Sequence, residues 1–162
     1  MSLLKRIKYL IEKFTEKKIL LAIAESCTGG YICHMFTNIS GASNVFERGV
    51  VCYSNKSKVE ALNVDLRSIE AAGAVSETVA RQLAYNIRIL SNVDIGIGIT
   101  GIAGPTGGTK EKPVGLVYIG YSTKEETKIK KHFLQTDRIH FKELVLEKVL
   151  EYLENITLEE KL

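Results

Sequence analysis

The segment Val93-Asp94-Ile95-Gly96-Ile97-Gly98-Ile99-Thr100 alternates branched aliphatics with residues that have almost no side chain. This constrains the fold more than any other stretch. In a strand, successive side chains point to opposite faces, so the isoleucines build one apolar wall and the glycines leave the other face bare. A bare face calls for a neighbour packed against the backbone itself, which predicts a central strand covered closely on one side. A glycine-dense loop, Thr100-Gly101-Ile102-Ala103-Gly104-Pro105-Thr106-Gly107-Gly108, follows at once.

A second apolar run, Ile19-Leu20-Leu21-Ala22-Ile23-Ala24, ends in Glu25-Ser26-Cys27-Thr28-Gly29-Gly30. A buried strand that runs into a hydroxyl, a thiol and two glycines delivers reactive groups to a fixed place. Residues 28–37 read as a helix, whose first turn offers free backbone N–H groups.

Around these strands the periodicities give a full set of elements. Residues 3–17 form an amphipathic helix with Leu3, Leu4, Ile7, Ile11 and Phe14 on one face. Val45 to Tyr53 reads as a strand, and Ser54-Asn55 caps a helix from Lys56 to Leu62. A short helix around Leu66–Ala71 leads to Gly73. Ser76 caps the next helix, whose stripe is Val79, Ala80, Leu83, Ala84, Ile87 and Leu90. Val114–Tyr121 and Thr127–Phe133 form a hairpin, and a last helix starts at Asp137 with Phe141, Leu144, Val145, Val149 and Tyr152 inward. The order α, β, α, β, α, α, β, β, β, α, without repeat or linker, predicts an α/β class. The expectation is a single three-layer α/β/α domain over 1–162, with a mixed sheet covered by helices on both faces. Strand order stays open.

With 22 basic and 19 acidic residues among 162, the net charge of +3 is too weak to argue for nucleic acid. Lys128, Lys130 and Lys131 read as a solvated strand edge. Cys27, Cys33 and Cys52 are an odd number with no Cys-x-x-Cys spacing, so neither a zinc site nor a disulfide framework is expected. No apolar stretch approaches ~18–20 residues and no signal-peptide core opens the chain, which predicts a cytoplasmic protein with no membrane partner.

Three segments carry chemistry. Ser26 is a candidate nucleophile, provided a base takes its proton and donors receive the oxyanion. The amides near Thr28, Gly29 and Gly30 are candidate donors. The bland alternative is that Ser26 or Thr28 merely caps the helix. In Tyr53-Ser54-Asn55-Lys56-Ser57-Lys58, Lys58 serves as general base if burial lowers its pKa, and Tyr53 relays a proton or orients the hydroxyl. Otherwise Lys58 is a solvated surface group. Lys56 should point elsewhere. The glycine loop after Thr100 is a nest for phosphate or carboxylate, or an ordinary long turn. Lys110 and Lys112 either add charge to an anion pocket there or face solvent. Cys27 is a rival nucleophile or a buried small hydrophobe. His34, His132 and His140 show no partner pattern.

Taken together, Ala24-Glu25-Ser26-Cys27-Thr28-Gly29-Gly30, Phe46-Glu47-Arg48-Gly49 with Tyr53-Ser54-Asn55 and Lys58, and Gly73-Ala74-Val75-Ser76-Glu77 resemble the C-terminal domain of competence-damage-inducible protein A. Thr100-Gly101-Ile102-Ala103-Gly104-Pro105, Gly107-Gly108 and Glu111-Lys112-Pro113-Val114-Gly115 match as well. The resemblance implies a nicotinamide-nucleotide amidohydrolase that turns nicotinamide mononucleotide into nicotinate mononucleotide and ammonia. It implies Ser26 as nucleophile, Lys58 as base and Tyr53 assisting, with no metal, no cofactor and often a homodimer. Glu25, Cys27, Thr28, Gly29, Gly30, Arg48, Asn55, Thr100, Gly101, Ala103, Gly104, Gly107 and Gly108 are then expected around the substrate. Its phosphate would lie against Gly104–Gly108 or Arg48. A non-catalytic module binding a pyridine nucleotide or other phosphorylated ligand is the alternative. Three positions depart from the family pattern: Lys56 for an acidic residue, Cys52 for a frequent threonine, and Thr136 for the glycine of Gly-Asp-Arg. Lys56 could help lower the Lys58 pKa if it lay close, or help hold a phosphate.

Overall fold

A computed structural model describes residues 1–158. Helix α1 (Leu3–Lys17) leads into strand β1 (Leu21–Glu25), helix α2 (Tyr31–Thr37) and strand β2 (Phe46–Val51). Three helices follow, α3 (Asn55–Leu62), α4 (Leu66–Ala72) and α5 (Glu77–Ser91). Strands β3 (Ile95–Gly101), β4 (Leu116–Ser122) and β5 (Thr127–Phe133) and helix α6 (Arg138–Leu158) complete the described residues. The strands form one sheet in the order β2-β1-β3-β4-β5. β1 runs parallel to β2 and β3, while β4 is antiparallel to β3 and to β5. The sheet is therefore mixed, as its pattern predicts.

Two apolar clusters cover the two faces. On one, Leu21, Ile23, Ile95, Ile97, Ile99, Val117 and Ile119 pack against Ile7, Leu10 and Phe14 of α1, Ile32 and Phe36 of α2 and the inner side of α6. On the other, Ala22 and Ala24 meet Leu62 and Ile69 of α3 and α4, and Val79, Leu83 and Ile87 of α5. The glycine pattern of β3 explains this second face. A Cβ added at Gly98 would stand 2.3 Å from the Ala84 amide nitrogen, and one at Gly96 would stand 2.2 Å from the Ala84 carbonyl oxygen. Helix α5 thus rests on bare backbone, which a single methyl group would push away. Fully burying each isoleucine of the opposite wall contributes about 1.5–3 kcal/mol.

The connections place the site. From β1 the chain crosses through α2 to β2 on one side of β1. From β2 it returns through α3, α4 and α5, over the other face, to β3 on the opposite side. The strand order switches direction at β1, and in open α/β sheets such a point leaves a crevice outside the carboxyl ends of the strands. Ser26 follows the end of β1, and Thr100 and Gly101 close β3.

Several expected details shift. Leu10 replaces Leu4 on the inner stripe of α1, because Ile7, Leu10, Ile11 and Phe14 keep the 3-1-3 spacing and Leu4 is 45% exposed. Leu90 is half exposed at the end of α5. On α6 the buried stripe runs through Phe141, Val145, Leu146, Val149, Leu150 and Leu153, leaving Leu144 and Tyr152 half-buried. Helix α2 begins at Tyr31 rather than near Thr28, since Gly29 and Gly30 take φ of 62° and 93°, left-handed values that interrupt a right-handed helix. The lysines Lys128, Lys130 and Lys131 do lie exposed on β5, an outer strand. Residues 159–162 of the expected domain lie outside the described residues.

Candidate active site

Ser26 is held by main-chain pairing that continues past β1: its N–H donates to the Ile99 carbonyl at 3.1 Å. Glu25, one residue earlier, is fully buried. Its carboxylate accepts from the amides of Gly30 (3.0 Å), Ile32 (3.2 Å) and Cys33 (2.7 Å). A carboxylate at a helix start satisfies the orphan donors and complements the dipole. Glu25 therefore fixes the turn that carries Ser26 instead of lining the substrate space. The Gly29 N–H donates to the Ser26 carbonyl at 3.0 Å. Two of the expected oxyanion donors, Gly29 and Gly30, are thus occupied. The N–H groups of Cys27 and Thr28 reach no protein oxygen among the described residues.

Lys58 comes from the start of α3, where Ser54 and Ser57 close a reciprocal capping box. Although it lies 32 positions from Ser26, its Nζ stands 2.9 Å from Ser26 Oγ. It also donates to the carbonyls of Cys52 (3.0 Å) and Tyr53 (3.1 Å). The side chain is 2% exposed. Burial disfavours the ammonium and lowers the Lys58 pKa from the usual 10.5. Three oxygens surround Nζ: an ammonium could donate to all three, and a neutral amine could donate to the two carbonyls and accept the serine proton. Lys56 is not the cause of the shift, since it points into solvent and pairs with Glu60 at 3.6 Å.

These groups line a cleft of about 260 Å3, with Asn55, Ala74, Val75, Thr100, Gly101, Ile102, Ala103, Thr106, Gly107 and Arg138 completing its wall. Arg138 bridges the mouth, donating to the Gly104 carbonyl and to the Tyr53 hydroxyl, both at 2.7 Å. The Tyr53 ring is more than half exposed, and its phenol engages Arg138 while its carbonyl supports Lys58. The Thr100 hydroxyl donates to the Ala74 carbonyl at 2.8 Å, fixing one wall. The Lys112 ammonium donates to the Ala72 carbonyl at the end of α4, which ties down the far end of the glycine loop. Between these ties the N–H groups of Ala103, Gly104, Thr106, Gly107 and Gly108 reach no protein oxygen among the described residues.

Not every expected residue reaches the cleft. Arg48 lies exposed on β2, the outer strand, and does not line it, because the end of β2 rather than its middle approaches Ser26. Thr28 is fully buried, and its hydroxyl has no partner among the described residues. Gly108 backs onto the chain at Val114, where a Cβ would come within 2.7 Å of the Val114 nitrogen. Cys27 lines the cleft, but burial pushes its thiol pKa up to about 12, which withholds the thiolate a nucleophile needs. Among the described residues no group of three or more His, Cys, Asp or Glu side chains is placed to hold a metal. Arg138 is the residue that sequence reasoning passed over. It opens α6, where the helix dipole disfavours a cation; that local misfit was the available signal.

A model of the CinA C-terminal domain matches residues 4–157. A Thermoanaerobacter sp. (strain X514) protein named as competence-damage inducible is 51% identical over 128 residues, 79% of this chain and 31% of that protein. A relative of the same name from Caldicellulosiruptor saccharolyticus is 46% identical over 143 residues, 88% of this chain and 35% of its own length. The chain thus spans about a third of these curated relatives. Among solved structures, the competence/damage inducible protein CihA of Agrobacterium tumefaciens superposes with a TM-score of 0.89 at 33% identity, covering 96% of this chain and 99% of that one. A CinA superfamily protein of Klebsiella pneumoniae, at 23% identity and a TM-score of 0.93 over 98% of this chain and 99% of its own, shares the fold. The chain belongs to the CinA C-terminal domain family.

Proposed function

We propose that the chain is an amidohydrolase that converts nicotinamide mononucleotide to nicotinate mononucleotide and ammonia. The observation that carries this reading is the 2.9 Å approach of a buried lysine amine to a serine oxygen beside main-chain donors that have no protein partner among the described residues. Neutral Lys58 takes the Ser26 proton as the serine oxygen attacks the carboxamide carbon. The amides of Cys27 and Thr28 receive the oxyanion. The Lys58 ammonium returns the proton to the departing nitrogen, and the C–N bond breaks to release ammonia. Lys58, neutral again, activates a water that attacks the acyl-enzyme, frees the carboxylic acid and restores Ser26. Tyr53 and Arg138 bound the entrance and orient the ligand.

The amidase reading brings with it a cytoplasmic setting and a homodimer, to be checked by fractionation and by mass in solution. No helix among the described residues is long and apolar enough to cross a membrane.

The test is ammonia release from nicotinamide mononucleotide by the wild type and by Ser26→Ala. The variant should fold normally and lose at least about 10³-fold in kcat. Normal turnover in it would refute the nucleophile. Tight binding without ammonia in the wild type would make the chain a binding module.

A further inference from the structure

A cation on α6 beside the cleft has no partner among the described residues. Lys142 lies one helical turn beyond Arg138 on α6, on the same side of the helix by its i, i+4 spacing. It is half-buried, and its Nζ stands 3.8 Å from where a Gly29 Cβ would be, so it hangs over the turn that carries Ser26. Among the described residues it makes neither an ion pair nor a hydrogen bond. Its neighbours do not neutralise it: Glu25 is spent on the α2 amides, and Asp137 pairs with His140 and caps the start of α6. Arg138 uses two directions of its guanidinium, toward Gly104 and Tyr53, out of five N–H donors. Of the other basic residues, Lys110 is exposed on the glycine loop, and three more are committed or remote. Lys58 is on Ser26, Lys112 is on Ala72, and Arg48 lies on the outer strand.

We infer that Lys142 and Arg138 together seat the phosphomonoester of the substrate, and that Lys142 sets the preference for a nucleotide carboxamide over the corresponding nucleoside. This rests on the amidase reading. A phosphomonoester carries roughly −1.5 to −2 charges at neutral pH and three acceptor oxygens. A single guanidinium leaves about half of that charge unbalanced, and a second cation one turn away supplies the rest. Arginine offers the planar fork and lysine the compact point charge, a division suited to an anion held at two corners. The tail lies at the mouth on α6, while the carboxamide reaches inward to Ser26.

The experiment compares kcat/KM for nicotinamide mononucleotide and for its dephosphorylated nucleoside in wild type, Lys142→Met and Lys142→Arg. Inorganic phosphate serves as the competitive inhibitor. In Lys142→Met the nucleotide-to-nucleoside ratio should fall about 10- to 100-fold, chiefly through KM of the nucleotide, with phosphate inhibition weakened in parallel. Lys142→Arg should restore most of the ratio. An unchanged ratio, or equal losses on both substrates, overturns the assignment. Should the wild type release no ammonia from either compound, the amidase reading fails by itself. Calorimetric binding of inorganic phosphate then decides on the seat: affinity lost in Lys142→Met and regained in Lys142→Arg upholds it, and equal affinity in all three removes it.

Discussion

The turn after β1 and the loop after β3 leave the same end of the sheet side by side, yet they spend their main-chain donors in opposite ways. After β1, the buried Glu25 takes the amides of Gly30, Ile32 and Cys33, and the Ser26 carbonyl takes that of Gly29. After β3, five amides between Ala103 and Gly108 reach no protein acceptor among the described residues, while the loop is tied by Arg138 at Gly104, by Lys112 at Ala72, and by main-chain pairs of Thr109 with Lys112 and of Ile102 with Leu116 and Gly115. A satisfied turn is rigid and can hold a nucleophile to a fraction of an ångström. An unsatisfied loop is open to a ligand's oxygens. The site therefore divides its labour between a stiff reacting wall and a receptive wall.

Removing the base should have the largest effect. Lys58→Met is expected to lower kcat by about 10²–10⁴-fold while leaving the far loop untouched. In the wild type the working form is the neutral amine, so activity should fall as pH drops through a pKa lying below 10.5. Stability moves in the same direction: the unfolded chain binds the proton at a higher pH than the folded one. The folded state thus loses stability as pH falls from 10.5 toward the lowered value, and no further below it. A kinetic profile with no acid limb in that range would break the assignment of Lys58.

Next comes the stiff wall. Glu25→Ala leaves the amides of Gly30, Ile32 and Cys33 without their acceptor and should cost about 2–4 kcal/mol in urea unfolding. A loss below about 0.5 kcal/mol would mean that the β1 turn is not held as described. The receptive wall should respond least. Lys112→Met removes one tie between an exposed loop and the end of α4, and about 1 kcal/mol or less is expected. Faster amide hydrogen exchange confined to residues 103–115 would accompany it. A loss as large as that of Glu25→Ala would erase the contrast between the two loops.

Much of the scaffold was legible because it is written locally. The alternating glycines of β3 announce a close approach on one face, which α5 makes, and Ser54 and Ser76 announce the helices they cap. A helical run of residue types places the start of α2 three residues too early, because it does not reveal the left-handed backbone at Gly29 and Gly30. For Glu25 the sequence points to a ligand group; in isolation, a carboxylate beside a serine gives no sign that it will fold back onto amides several residues ahead. Arg48 stood in a family-like motif, yet its strand turned out to be the outer one.

From the sequence alone came the elements, the mixed α/β layering and the three segments that carry reactive groups, since side-chain periodicity and capping act over a few residues. Only the tertiary structure decided that Lys58 meets Ser26, that Arg138 closes the mouth between Tyr53 and Gly104, and that Lys142 overhangs the nucleophile's turn. These pairings depend on which strands lie side by side and on where the direction of the sheet switches. That order comes from burying two apolar faces at once, a condition imposed by the whole chain.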